Sequence, residues 1–241
     1  MSPISPRLLR PRATGFNPKS ISGLAAWYDA SVASSITLNG STVSQWSDLS
    51  GNSRHQVQAS ASLQPNYNAT GLNGKGTLTT TGTQWTQASA FASSSSATIF
   101  LVWQIAAASG TPFIFQRGTV NDVHSFLMNP GTNQLQARRG SSNQGTLTVS
   151  DLQTPSIWRI GTLVFSTTLS RIFNGSTQGT DNTATVSAPV GDKVLTLFAL
   201  DSATRSGSPG IAEFLYYSSQ LDATQQSSVR TYLAKKWGLT L

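Results

Sequence analysis

Along most of the chain, apolar residues come in short bursts separated by Ser, Thr, Asn and Gly. Runs at 24–28, 43–46, 77–80, 98–105, 112–116, 125–128, 134–138, 145–149, 157–165, 169–173, 194–199 and 211–217 are rich in β-branched and aromatic residues. They are too short for helices, and they read as strands. Asn39-Gly40, Asn73-Gly74 and Asn174-Gly175 are dipeptides that tolerate the positive φ of tight hairpins, and Asn129-Pro130-Gly131 marks a further turn. The serine run at 93–96 reads as a loop within the domain. No internal repeat of roughly 20–50 residues is visible, which argues against solenoids and propellers. Many short strands without intervening helices predict two packed antiparallel sheets.

One helix is predicted, at about 222–237. Asp222 and Gln225 have the spacing of a capping box, Val229, Leu233 and Trp237 form an apolar stripe, and Gly238 ends the run. Lys235 and Lys236 fall in its last turn, where the helix dipole favours cations, and this accounts for them without a binding patch.

The first residues follow another pattern. Pro3, Pro6, Pro11 and Pro18 forbid a helix or a central strand, so residues 1–21 are expected to be an extended arm and residues 22–241 a single sandwich. The formal net charge is +7, and Arg7, Arg10, Arg12 and Lys19 all precede the first acid, Asp29. A solvated basic tail is one explanation. Nucleic-acid binding lacks the interleaved aromatics and long basic stripe that would support it. The island Leu8-Leu9 is far shorter than a secretory apolar region, and no stretch is long enough to span a membrane, so production and use without export are expected.

Composition narrows the chemistry. Charged residues make up only 10% of the chain, while 36 serines and 29 threonines do the solvating, a surface suited to strands. The absence of cysteine removes disulfides, thiolate metal sites and cysteine nucleophiles together. Glu213 is the only glutamate, so a glycosidase built on paired glutamates has no counterpart here; the residue reads better as a paired structural acid. His55 and His124 stand in no recognisable nucleophile context. No cofactor is expected. Asp29, Asp48 and Asn52 offer hard oxygens for calcium, or ordinary turn hydrogen bonds in which Asp48 and Asn52 serve their own hairpin. Most of the six tryptophans coincide with core positions, whereas Trp85 lies in a polar Thr-rich stretch and is the candidate for an exposed, glycan-stacking role.

Several segments carry a resemblance. Leu24-Ala-Ala-Trp27-Tyr-Asp29, followed by Trp46-Ser-Asp48-Leu-Ser50-Gly51-Asn52-Ser-Arg-His55, resembles the opening strand and hairpin of concanavalin A-like, laminin-G-like jelly rolls. Thr98-Ile-Phe-Leu-Val-Trp103 is similar to their aromatic central strand. The stretch 158–165 with the hairpin around Asn174-Gly175 is similar to their paired strands. Gly210-Ile-Ala-Glu213-Phe-Leu-Tyr-Tyr217, Leu221-Asp222 and Lys236-Trp237-Gly238 resemble their ending. The likeness covers about residues 22–239; Ser53 replaces a usual glycine, a change expected only to tighten the turn.

The resemblance implies an all-β fold: a jelly-roll sandwich of two antiparallel sheets with an extended N-terminal arm and one C-terminal helix. It is specific for fold more than for function. Similar short chains occur among bacteriophage virion proteins, which implies a non-enzymatic capsid decoration protein assembled in the host cytoplasm. On that reading the arm contacts a major capsid protein or another virion protein, or a sister subunit. Arg7, Arg10 and Arg12 would pair with carboxylates while Leu8, Leu9 and Phe16 fill apolar pockets. A homo-oligomer, a trimer by analogy, goes with it. The alternative is a carbohydrate-binding or receptor-binding module, a tail or fibre adhesin holding a host-surface glycan at Trp85.

Overall fold

A computed structural model describes residues 15–105, 112–118, 124–139, 143–152, 154, 156–185, 191–199 and 208–241. Arg7, Leu8, Leu9, Arg10 and Arg12 of the expected arm lie outside the described residues.

The described residues form strands β1 (Leu24–Asp29), β2 (Ile36–Asn39), β3 (Thr42–Trp46), β4 (Gln56–Val57), β5 (Asn66–Leu72), β6 (Lys75–Thr79), β7 (Thr86–Ala92), β8 (Ala97–Ile105), β9 (Phe113–Arg117), β10 (His124–Asn129), β11 (Gln134–Arg139), β12 (Asn143–Thr148), β13 (Arg159–Ser166), β14 (Leu169–Asn174), β15 (Thr177–Gln178), β16 (Asp192–Leu197) and β17 (Pro209–Tyr217), followed by one helix, α1 (Ala223–Trp237). The strand pairings are antiparallel. One layer runs from β1 and β6 through β17, β8, β13 and β14 to β15. The other runs β2–β3–β4–β7–β16–β9–β10–β11–β12. These are the two packed antiparallel layers that the sequence predicts, joined at their edges. β5 pairs with both β3 and β6, and a bridge between Thr146 and Thr180 links β12 to the segment after β15, so one hydrogen-bonded network curls into two facing layers. This leaves few open edges.

The period-2 alternation of β8 divides the core. Ile99, Leu101 and Trp103 face inward with Phe115, Phe126, Leu163 and Phe214, while Phe100 and Val102 face outward with Ala212, Leu215 and Tyr217 to meet Val229, Leu233 and Trp237 of α1. Edge-on aromatic pairs lock the inner core: Trp103 with Phe126 at 5.0 Å, and Phe115 with Phe214 at 5.2 Å. Covered on both faces, β8 is buried at every position, and so it reads in sequence as a continuous apolar run.

All twelve expected strands appear, with shifted ends. Five were not legible: β2, β4, β5, β7 and β15. They are short or polar with exposed positions, so their hydrophobic pattern is weak. α1 forms with the expected caps. The Asp222 carboxylate accepts the Gln225 N–H at 2.8 Å, Gln225 Oε1 accepts the Asp222 N–H at 3.0 Å, and Gly238 closes the helix at φ 65°. Ser53 adopts φ 57°, so the replaced glycine leaves a side-chain-bearing residue in left-handed backbone.

The described end of the arm region is packed. Asn17 Oδ1 accepts the Lys19 N–H, and Pro18–Ser20 makes a turn of 3-10 helix with proline at its start, where a missing N–H costs nothing. Pro18 and Ile21 are buried.

Candidate functional site

A buried polar site built around an ion pair lies between β1, β17 and α1. Antiparallel register sets Asp29 directly opposite Glu213. Two acids in such a pair repel unless a cation separates them. α1 supplies it: Lys236, one helical turn beyond Tyr232, directs its ammonium between the carboxylates, contacting Asp29 Oδ2 and lying 2.7 Å from Glu213 Oε2. The Lys236 side chain is 16% exposed, Asp29's 4% and Glu213's 0%.

Glu213 is the hub. Its Oε1 accepts the Trp27 indole N–H at 2.9 Å and the Tyr232 hydroxyl at 2.8 Å, while Oε2 accepts Lys236 and the Trp237 indole N–H, both at 2.7 Å. Both oxygens are thus satisfied by four donors, three of them from α1, which is how a fully buried carboxylate is tolerated. Burial, and after it Asp29, pushes the Glu213 carboxyl above its usual range, against the pull of Lys236 and Trp237. The Tyr232 hydroxyl is pushed up by burial and then by Glu213. The expected structural pairing of Glu213 is present. The part missed was its partner: Lys236 points inward to an ion pair, so the helix dipole was an incomplete account of it. Asp29, the acid beside Glu213, is 184 residues away in sequence by number (213 less 29), which no local spacing reveals.

The calcium candidates divide. Asp29 faces Lys236, while its Oδ1 accepts the Ser31 N–H at 3.0 Å and the Ser31 hydroxyl at 2.6 Å. Asp48 serves the hairpin: Oδ1 accepts the N–H groups of Trp27 and Ser50, and Oδ2 accepts the Ser50 hydroxyl and the Arg54 N–H. Asn52 Nδ2 donates to the carbonyls of Leu24 and Ala25. Turn and packing bonds therefore engage Asp48 and Asn52, and among the described residues no three His, Cys, Asp or Glu side chains gather as a metal cluster. His55 Nδ1 accepts the Asp48 N–H at 3.1 Å.

Trp85 is half-buried rather than splayed on the surface. Its backbone bonds to Leu63 and Gln58, and its indole N–H is buried without a hydrogen-bond partner among the described residues.

Where the N-terminal segment meets the domain, Phe16 packs on Tyr232 at 5.4 Å between rings, and the buried Tyr217 hydroxyl donates to the Pro18 carbonyl at 3.0 Å. Beside them a groove of about 1000 Å³ runs along the outer face of α1, lined by Gly15, Phe16, Ser227, Thr231, Tyr232 and Lys235 among others. Of the arm residues expected to contact a partner, Phe16 is therefore spent partly on its own domain.

No known protein family matches the chain by sequence, nor does any curated protein. Solved structures match it by shape. Trypanosoma rangeli sialidase, bound to a difluoro-KDN ligand, superposes with a TM-score of 0.62 at 11% identity over 92% of this chain and 34% of the sialidase chain. The ligand-binding domain of botulinum neurotoxin serotype D, in complex with N-acetylneuraminic acid, gives 0.62 at 11% over 91% and 54%. A GH54 α-L-arabinofuranosidase gives 0.59 at 13% over 81% and 51%. The chain thus spans about a third of the sialidase and about half of the other two. At such identities the likeness is one of fold, an all-β jelly-roll sandwich shared by carbohydrate-binding domains and enzymes alike.

Proposed function

We propose that the chain is a non-enzymatic structural protein of a bacteriophage virion, a capsid decoration protein attached through its N-terminal arm. The observation that supports this best is the anchorage of residues 16–21 beside the α1 groove. Phe16, Pro18 and Ile21 are held by Tyr232, Tyr217 and the helix-side core, so the basic residues that precede them start from a fixed point. A firm anchor followed by Arg7, Arg10 and Arg12 suits attachment to a carboxylate-bearing shell surface. The sole glutamate supports the non-enzymatic part. It meets Asp29 in a buried site where Lys236 pairs with both carboxylates, so neither stands free as a glycosidase acid or nucleophile would.

The test is co-sedimentation with virions stripped of the protein, comparing the full chain with one lacking residues 1–14 at about 50 mM and about 0.5 M salt. The full chain is expected to bind and to weaken with salt, the shortened chain to bind at least roughly tenfold less. Undiminished, salt-insensitive binding by the shortened chain overturns the arm model.

A second reading, glycan binding at the rim, is favoured by the half-buried Trp85, whose indole N–H has no partner among the described residues. A glycan array that stays blank with and without calcium, or binding unchanged in Trp85→Ala, removes it.

A further inference from the structure

Lys236, Asp29 and Glu213 form more than an ion pair. An amine and a carboxyl are in contact inside the protein, a second carboxyl lies 2.7 Å from the amine, and Trp27, Tyr232 and Trp237 enclose them. We propose that Lys236 Nζ and Asp29 Cγ join in an intramolecular amide bond, with Glu213 as the catalytic proton carrier.

The partners of each oxygen decide which carboxyl reacts. Glu213 is held through both oxygens by four donors, and losing either oxygen would strand two of them. Asp29 is differently placed. Its Oδ2 faces Lys236, whereas Oδ1 accepts the Ser31 N–H and hydroxyl, two donors positioned to stabilise the oxyanion of a tetrahedral intermediate. Asp29 is thus the electrophile, with Oδ2 as the leaving oxygen.

The step balances without any co-reactant. The Nζ–Cγ bond forms and the Cγ–Oδ2 bond breaks. Of the three protons on the Lys236 ammonium, one stays on the amide nitrogen and two pass to Oδ2 by way of Glu213, which ends in the protonation state in which it began. Oδ2 leaves as water. One positive and one negative charge are replaced by a neutral amide, which removes the desolvation cost of a buried ion pair; that is the thermodynamic pull toward condensation. Fixed contact between the reacting groups supplies the kinetic part. The raised proton affinity of Glu213, caused first by burial, suits a group that takes up and returns a proton.

The bond would close the chain between the first strand and the last turn of α1, a separation of 207 residues, and so staple the helix that carries the groove to the sheet beneath it. This inference does not depend on the virion reading.

The experiment is intact mass spectrometry of the purified full chain, followed by tryptic peptide mapping. The expected result is a mass lower than the sequence mass by one water, about 18 Da, a branched peptide joining Asp29 to Lys236, and no cleavage after Lys236. Asp29→Ala and Lys236→Arg should each show the full mass of its own sequence, with no water lost, and Glu213→Gln should leave most of the chain unjoined. The wild-type chain decides by itself, so a variant that fails to fold does not blur the outcome. A wild-type chain at full mass, or a water lost elsewhere without the branched peptide, overturns the proposal.

Discussion

His124 lies on β10, 1% exposed, with its ring stacked on Phe165 at 4.3 Å and its Nδ1 3.0 Å from the Tyr216 hydroxyl oxygen. Burial, and then the Arg117 charge, pulls its pKa down to about 3. The folded protein therefore holds a neutral imidazole where the unfolded chain would protonate near 6.5. Because the unfolded state binds the extra proton, stability is complete above pH 6.5 and drains away as the pH falls toward about 3. From the gap between these values, the loss approaches roughly 5 kcal/mol at its limit and reaches about 2 kcal/mol by pH 5. Against a typical domain stability of roughly 5–15 kcal/mol, that is a large fraction. Glu213 acts in the opposite sense: its carboxyl is pushed up in the folded state, so it favours folding as the pH falls. It cannot be the source of the loss. The assay is urea unfolding followed by tryptophan fluorescence at pH 7.5, 6, 5 and 4, with His124→Gln as the control that keeps a polar group without the titration. The wild type should lose about 2 kcal/mol between pH 7.5 and 5, and the variant much less. Parallel profiles for the two proteins would exclude His124 as the source of the loss.

Other substitutions probe the helix and its anchor. Glu213→Gln places an amide N–H among donors that need an acceptor, so a loss of at least about 3 kcal/mol in urea unfolding is expected; less than about 1 kcal/mol contradicts the hub. Asp222→Ala removes the capping box at an otherwise intact helix, which should cost about 1 kcal/mol and raise hydrogen exchange only in the first turn of α1. Tyr217→Phe deletes the hydroxyl bonded to the Pro18 carbonyl. Limited proteolysis should then cut near residues 15–20 several-fold faster at little cost to the rest, about 1 kcal/mol in all.

What local pattern specifies was readable: the apolar bursts of β8, β13 and β17, the three Asn-Gly hairpins, and both ends of α1. Strands such as β5 and β7 were not, because their small polar residues take strand form from the neighbours they pair with rather than from their own hydrophobicity. Glu213 was legible as a structural acid because it is the only glutamate and sits in an apolar strand. Its connection to Asp29 and Lys236 was hidden, since it depends on the register of β1 against β17 and on the rotation of α1, both long-range facts. The inward turn of Lys236 was masked by a sufficient local explanation in the helix dipole. The basic residues of the arm were visible as charge, but the firm packing of residues 16–21 depends on Tyr217 and Tyr232, some 200 positions later.

Attachment, as proposed, runs through the N-terminal arm, which leaves the domain beside α1. Hydrogen exchange of the full chain, free and bound to virions stripped of it, tests this most directly. Protection gained on binding is expected within residues 1–21, with the hairpins around Trp85 unchanged. Protection confined to the Trp85 rim, with residues 1–21 exchanging as in the free protein, would overturn attachment through the arm.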